Sequence, residues 1–210
     1  VMWGSERRSR AMDDKEKKLT AYHEAGHALV QQLTKGTEPV HKVTIIPRGV
    51  SYLGATMSLP EKDSYTQSRE KLLGEIAVCM GGRVAEELIF GDITNGASSD
   101  LKHATEVARL MVCNWGMSEE LGPQQFGNNQ ELMFLGREVS REQNYSEETA
   151  RRIDVEVARL LREAHTQALE SVTTHRDKLE MIAERLLEHE TIDGRDIEEI
   201  VTEDRVLSAD

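Results

Sequence analysis

Residues 18–33, KLTAYHEAGHALVQQL, form a proline-free run in which His23 and His27 stand four positions apart with Glu24 between them. On an α-helix, residues i and i+4 lie one above the other on the same face. A helix over 13–35 therefore aims the imidazoles of His23 and His27 at one point, with the Glu24 carboxylate beside them. Two imidazoles are half of a common zinc coordination set, and a neighbouring carboxylate can take a proton from water and return it to a leaving amine. The HExxH pentapeptide thus reads as a zinc hydrolase helix, with Glu24 as general base and then general acid. The bland alternative is a chance meeting on a solvated helix face. Gly26 speaks against it, because glycine inside a helix costs about 1 kcal/mol relative to alanine. Next to Ala25, it predicts another segment pressed against that turn.

Downstream, the apolar period changes. Val43 and Ile45 alternate with Lys42 and Thr44, Pro47-Arg48-Gly49 makes a turn, and residues 52–57 run extended again, which predicts a β-hairpin or small sheet. Helical spacing returns over 64–90, where Leu72, Leu73, Ile76, Ala77, Met80, Val84 and Leu88 form an apolar stripe interrupted by Gly81-Gly82. A loop over 91–99 precedes a helix over 101–114, and the Gly-, Gln- and Asn-rich stretch 116–136 predicts irregular structure. Ser146 is placed to cap a helix whose stripe is Ile153, Val157, Leu160, Leu161, Ala164 and Ala168. Leu179, Ile182, Ala183, Leu186 and Leu187 mark the next helix, and Asp193-Gly194-Arg195-Asp196 opens a last short one. The fold class is mainly α, with a small β element near the HExxH helix. It divides into a catalytic part, 13–139, and a C-terminal helical part, 140–210.

A chain of 210 residues is long enough to bury a real core, and aromatics at only 4% favour helix over sheet. A net charge of −12 with no long basic run argues against nucleic acid as a partner. Cys79 and Cys113 form no CxxC pair and read as reduced core thiols of a cytosolic protein. No apolar run approaches the roughly 18–20 residues of a membrane span. The start at Val1 suggests a fragment whose upstream part could carry a membrane anchor or motor. No GxxxxGK(S/T) loop is present to bind a nucleotide.

A catalytic zinc takes three protein ligands and leaves its fourth position to water, so HExxH needs a partner. Glu86, Glu87, Asp100 and His103 are the candidates. The two glutamates could instead lie on a solvated face or orient a liganding imidazole, and Asp100 could be an N-cap. An HExxHxxGxxH arrangement is ruled out by Val30 and Leu33.

Several linked blocks carry a resemblance: HEAGHALV at 23–30, KVTIIPRG at 42–49, LGATMSLP at 53–60, GGRVAEE at 81–87, GASSDL at 96–101 and WGMSEELGP at 115–123. In this order, and over nearly the whole chain, they resemble the peptidase domain of the FtsH family of ATP-dependent zinc metalloproteases. The resemblance implies that Asp100 is the third ligand to one zinc per chain, with His23 and His27, and that Glu24 is catalytic. It further implies unfolded polypeptide substrates, a homo-hexamer, and a parent protein at the cytoplasmic face of the bacterial inner membrane. There, ATP and the membrane would act only through upstream ATPase and transmembrane regions. The extended segment 53–57 is the expected substrate edge, and Tyr22, Asn95 and His103 are candidates for oxyanion contacts. Two other readings are a helical assembly module with a non-catalytic zinc, and a zinc hydrolase acting on a non-peptide bond. A structural site would normally fill all four metal positions with protein ligands, which speaks against the first.

Overall fold

Asp13 starts the first helix: its carboxylate accepts the Glu16 amide at 2.7 Å, and α1 runs Asp14–Leu33 before the chain turns extended at Thr34. The computed structural model, which describes residues 13–47, 54–58, 66–127 and 145–202, shows five further helices, four of which pack on α1. The longest contact is with α2, Arg69–Phe90, capped by Ser68 on the Lys71 amide and closed by Gly91 in the left-handed conformation. The helical spacing expected from residue 64 begins five residues later because Ser68 supplies this cap. Residues 59–65 lie outside the described segments.

Where α1 and α2 cross, the backbones touch. A Cβ on Gly26 would collide with the Gly81 carbonyl and lie 2.7 Å from the Ala85 Cβ, and one on Gly81 would lie 2.6 Å from the Gly26 carbonyl. The pressing segment that Gly26 demanded is thus the Gly81-Gly82 turn of α2. Leu29, Val30, Ile76 and Val84 fill the core beside this contact, joined by Met111, Ile182 and Leu186 from later helices.

The sheet has the order β2-β1-β3 and is antiparallel throughout. Strand β1 (Val40–Thr44) pairs with β2 (Ala55–Ser58), as the hairpin reading expects. The expected turn at Arg48-Gly49 falls outside the described residues. The other neighbour, β3 (Thr191–Asp193), sets Thr191 opposite Thr44 and Ile192 opposite Val43. Three residues are too few to show a period of two, so this strand leaves no sequence signal.

A single 3-10 turn, Asn95–Ala97, leads into α3, Ser98–Cys113. That helix starts three residues before the expected Leu101, which places Asp100 in its first turn. Helix α4, Glu147–Thr174, is capped by Ser146 on the Thr149 amide as anticipated, and packs on α2. Its expected stripe is buried apart from the half-buried Leu161. It also buries Glu156, which Ser118 and Arg159 satisfy at 2.8 and 2.7 Å, tying the irregular stretch after α3 to α4. Helix α5, Arg176–His189, lies against α1, and α6, Gly194–Thr202, closes over β1 and α1. No helix among the described residues is long and apolar enough to cross a membrane.

Gly26→Ala would gain about 1 kcal/mol of helix propensity, yet its methyl has no room. Overpacking at such a contact costs about 1–3 kcal/mol, and with the backbones already touching we expect a net loss. A lowered urea midpoint, followed by far-ultraviolet circular dichroism, is the expected outcome. An unchanged or raised midpoint would show that the helices can separate freely.

Candidate metal centre

The α1 face turned toward Gly82 carries His23 and His27 one turn apart, as their spacing demands. Their Nε2 atoms lie 3.0 Å from each other, and Asp100 Oδ2 lies 3.4 Å from the first and 3.5 Å from the second. These three ligand atoms fall within 4.8 Å of one another, a group able to hold one metal ion. Asp100 reaches it because α3 begins at Ser98, which frees the Asp100 carboxylate from a capping role. Gly82 makes the cluster sterically feasible. A Cβ there would stand 2.6 Å from the Nε2 atoms of both histidines.

Both rings are held from behind. His27 Nδ1 donates to the Val78 carbonyl at 2.7 Å, which leaves a lone pair on Nε2 in the neutral ring. His23 Nδ1 meets Glu86 Oε1 at 2.6 Å, and the other Glu86 oxygen accepts from the Thr94 amide and hydroxyl at 3.1 and 2.9 Å. Such acceptors fix the tautomer and ring orientation of a liganding histidine. Glu86 is 1% exposed, and these partners satisfy it.

Burial and neighbouring charge shift the ionisable groups of the cluster. Burial alone would lower the His23 pKa, but the carboxylates of Asp100 and Glu86, with Glu24 nearby, outweigh it and hold the imidazolium up at about 10. Burial would raise Asp100, yet the neighbouring His23 and His27 rings hold it well below the usual carboxylate range. Glu86 is likewise lowered, its burial offset by His23 and Thr94. Glu24 goes the other way. Burial pushes its pKa up, and His27, His23 and Thr56 only partly counter this. A carboxyl raised in this way is suited to accept and release a proton.

The remaining sequence candidates stand elsewhere. Glu87 is exposed, with His165 at 3.8 Å, and His103 pairs with Glu75 at 2.7 Å. Neither belongs to the three-residue group. Tyr22 packs edge-on against Phe90 at 5.6 Å, and Asn95 lies in the 3-10 turn. Both cysteines are free and half-buried, and burial, then Asp100 and Glu75, push the Cys79 thiol up to about 12. Sequence reasoning missed Val78 and Thr94. The Val78 contact is made by a backbone carbonyl, which no side-chain pattern reports, and Thr94 is one of many loop threonines.

Fold and cluster together define a mainly α-helical domain of the HExxH kind, in which a second helix closes the donor set. The chain belongs to Peptidase family M41, whose sequence model matches residues 10–200. It is 50% identical over 201 residues to "ATP-dependent zinc metalloprotease FtsH 2" of Methylacidiphilum infernorum, covering 96% of this chain and 31% of that protein. Proteins named "ATP-dependent zinc metalloprotease FtsH" from Kosmotoga olearia and Caulobacter vibrioides are 52% and 51% identical, each over 96% of this chain and 31% and 32% of their own lengths. The chain therefore spans about a third of the length of the curated relatives it matches.

Gly82→Ala sets a methyl where the imidazole tips converge. We expect strongly reduced divalent-metal content by atomic absorption with helicity preserved. Full metal content in that variant would show that the rings can retreat without cost.

Proposed function

We propose that this chain is a zinc endopeptidase unit that hydrolyses extended polypeptides. The observation that carries the reading is the convergence of His23 Nε2, His27 Nε2 and Asp100 Oδ2 beside the buried Glu24. The donor set fits zinc: two nitrogens and one carboxylate oxygen, with both rings oriented from behind by Glu86 and Val78. When bound there, zinc supplies Lewis-acid polarisation and lowers the pKa of water. Glu24 accepts the proton released by the attacking water and delivers it to the departing amine, the task to which its raised pKa is matched. Strand β2 lies at the edge of the three-stranded sheet, with its outer side open among the described residues. A substrate pairing there as an added strand gains main-chain hydrogen bonds with little demand on its side chains, which favours broad specificity and a peptide substrate.

In this reading residues 1–210 act as one peptidase unit, its catalytic part over 13–139 supported by the helical part over 140–210. The relatives' names call them ATP-dependent, and this chain contains no P-loop sequence. We therefore place the unit in a larger protein, which we propose to be a homo-hexamer on the family resemblance. Its ATPase module unfolds and feeds substrates, and its attachment to the cytoplasmic face of the bacterial inner membrane lies outside these residues.

Glu24→Gln is expected to retain stoichiometric zinc and lose at least a hundredfold in peptide hydrolysis, with metal content and turnover measured in parallel. Comparable turnover in the variant would remove Glu24 from the mechanism. Asp100→Asn should lose zinc binding almost entirely, whereas Glu86→Gln should cost roughly 10- to 100-fold in affinity. In the same titration Glu87→Gln and His103→Ala should match the unsubstituted protein.

The purified chain should cleave an unfolded polypeptide without ATP and spare a stably folded domain, since a folded substrate exposes an extended segment only by rare opening. Comparing the two substrates with and without ATP checks this. Equally rapid digestion of both, or stimulation by ATP, would contradict it.

A further inference from the structure

The start of β2 encloses the Glu24 carboxylate. Thr56 Oγ1 lies 2.9 Å from Glu24 Oε2 and 3.3 Å from the Glu24 carbonyl oxygen. A hydroxyl has one proton to donate, and the nearer, charged acceptor takes it. The donor is itself anchored. Thr56 pairs across the sheet with Val43, which is fully buried and pairs in turn with Ile192, and a β-branched side chain has little freedom about its first torsion. With Oε2 engaged, Oε1 is the oxygen left to handle the proton. Two residues earlier the chain makes room for it. A Cβ on Gly54 would stand 2.7 Å from Glu24 Oε1, 2.8 Å from Glu24 Cγ and 2.9 Å from the Thr44 carbonyl oxygen. Glycine is needed there for space.

We propose that Thr56 and Gly54 are positioning residues for Glu24: the Thr56 hydroxyl fixes the orientation of the carboxylate, and the bare Cα of Gly54 leaves Oε1 its place. The inference rests on the peptidase reading. Because β2 is also the strand on which substrate would pair, one short segment sets both the register of the peptide and the aim of the base.

The test compares Thr56→Val, isosteric but without the hydroxyl, with Thr56→Ser, which keeps it, in zinc-loaded protein cleaving an unstructured peptide. Misaiming a catalytic group by about an ångström can cost on the order of a hundredfold. We expect kcat for Thr56→Val to fall tenfold to a hundredfold with KM and zinc content unchanged, and Thr56→Ser to recover most of it. Gly54→Ala should behave like Thr56→Val. A second readout needs no turnover. The carboxylate stretch of Glu24, assigned in the infrared difference spectrum against Glu24→Gln, should shift in Thr56→Val and stay in place in Thr56→Ser. Unchanged kcat in Thr56→Val, an equal loss in Thr56→Ser, or an unshifted band would overturn the inference. If the unsubstituted protein cleaves nothing, the peptidase reading falls, and the infrared comparison still decides the Thr56 contact.

Discussion

Contact between two helix backbones at Gly26 and Gly81 is the constraint on which the rest of the structure depends. Helices with ordinary side chains at their crossing stay 8–10 Å apart. Without them, α2 comes close enough for the Val78 carbonyl to reach the His27 ring and for Glu86 to reach His23. The same approach places Gly82 against the imidazole tips. Three glycines that cost helix stability therefore hold the two rings in one orientation.

The cluster gathers electron-pair donors that would repel one another without a positive charge among them. Two ring nitrogens and a carboxylate oxygen converge there, and Glu86 and Glu24 lie close behind. A divalent cation placed among them would answer that field. Glu24 occupies the one place where burial outweighs the nearby positive charge, so neighbouring carboxylates are driven in opposite directions. Environment makes the difference, since the side chains differ by a single methylene.

The parts of this architecture that repeat were legible in the sequence. The i, i+4 histidines, the apolar stripes of α2, α4 and α5 and the Ser146 cap are local patterns, and each lies where it was expected. Gly26 even announced its neighbour. Long-range pairings were not legible. Periodicity could not separate Asp100 from Glu86, Glu87 or His103; the fold brings Asp100 into the cluster because α3 starts three residues early. Thr56, Thr94 and the Val78 carbonyl act through tertiary contacts that no spacing rule reports. The third strand escaped notice because its three residues are strand only by virtue of Thr44 and its neighbours.

That late strand bears on the order in which the chain matures. Thr44 bonds to Thr191 and to the Glu190 carbonyl, and the Ile45 amide bonds to the same carbonyl, so β1 has its second partner only once residues 147 positions downstream are in place. Helix α1 is a local structure and can form within microseconds. A pairing across so many residues must first meet the entropy of closing a long loop. During synthesis the HExxH helix therefore leaves the ribosome well before the sheet that carries Thr56 can be completed. Topology alone therefore leaves one edge of β1 unpaired until residues 190–193 have folded back against it.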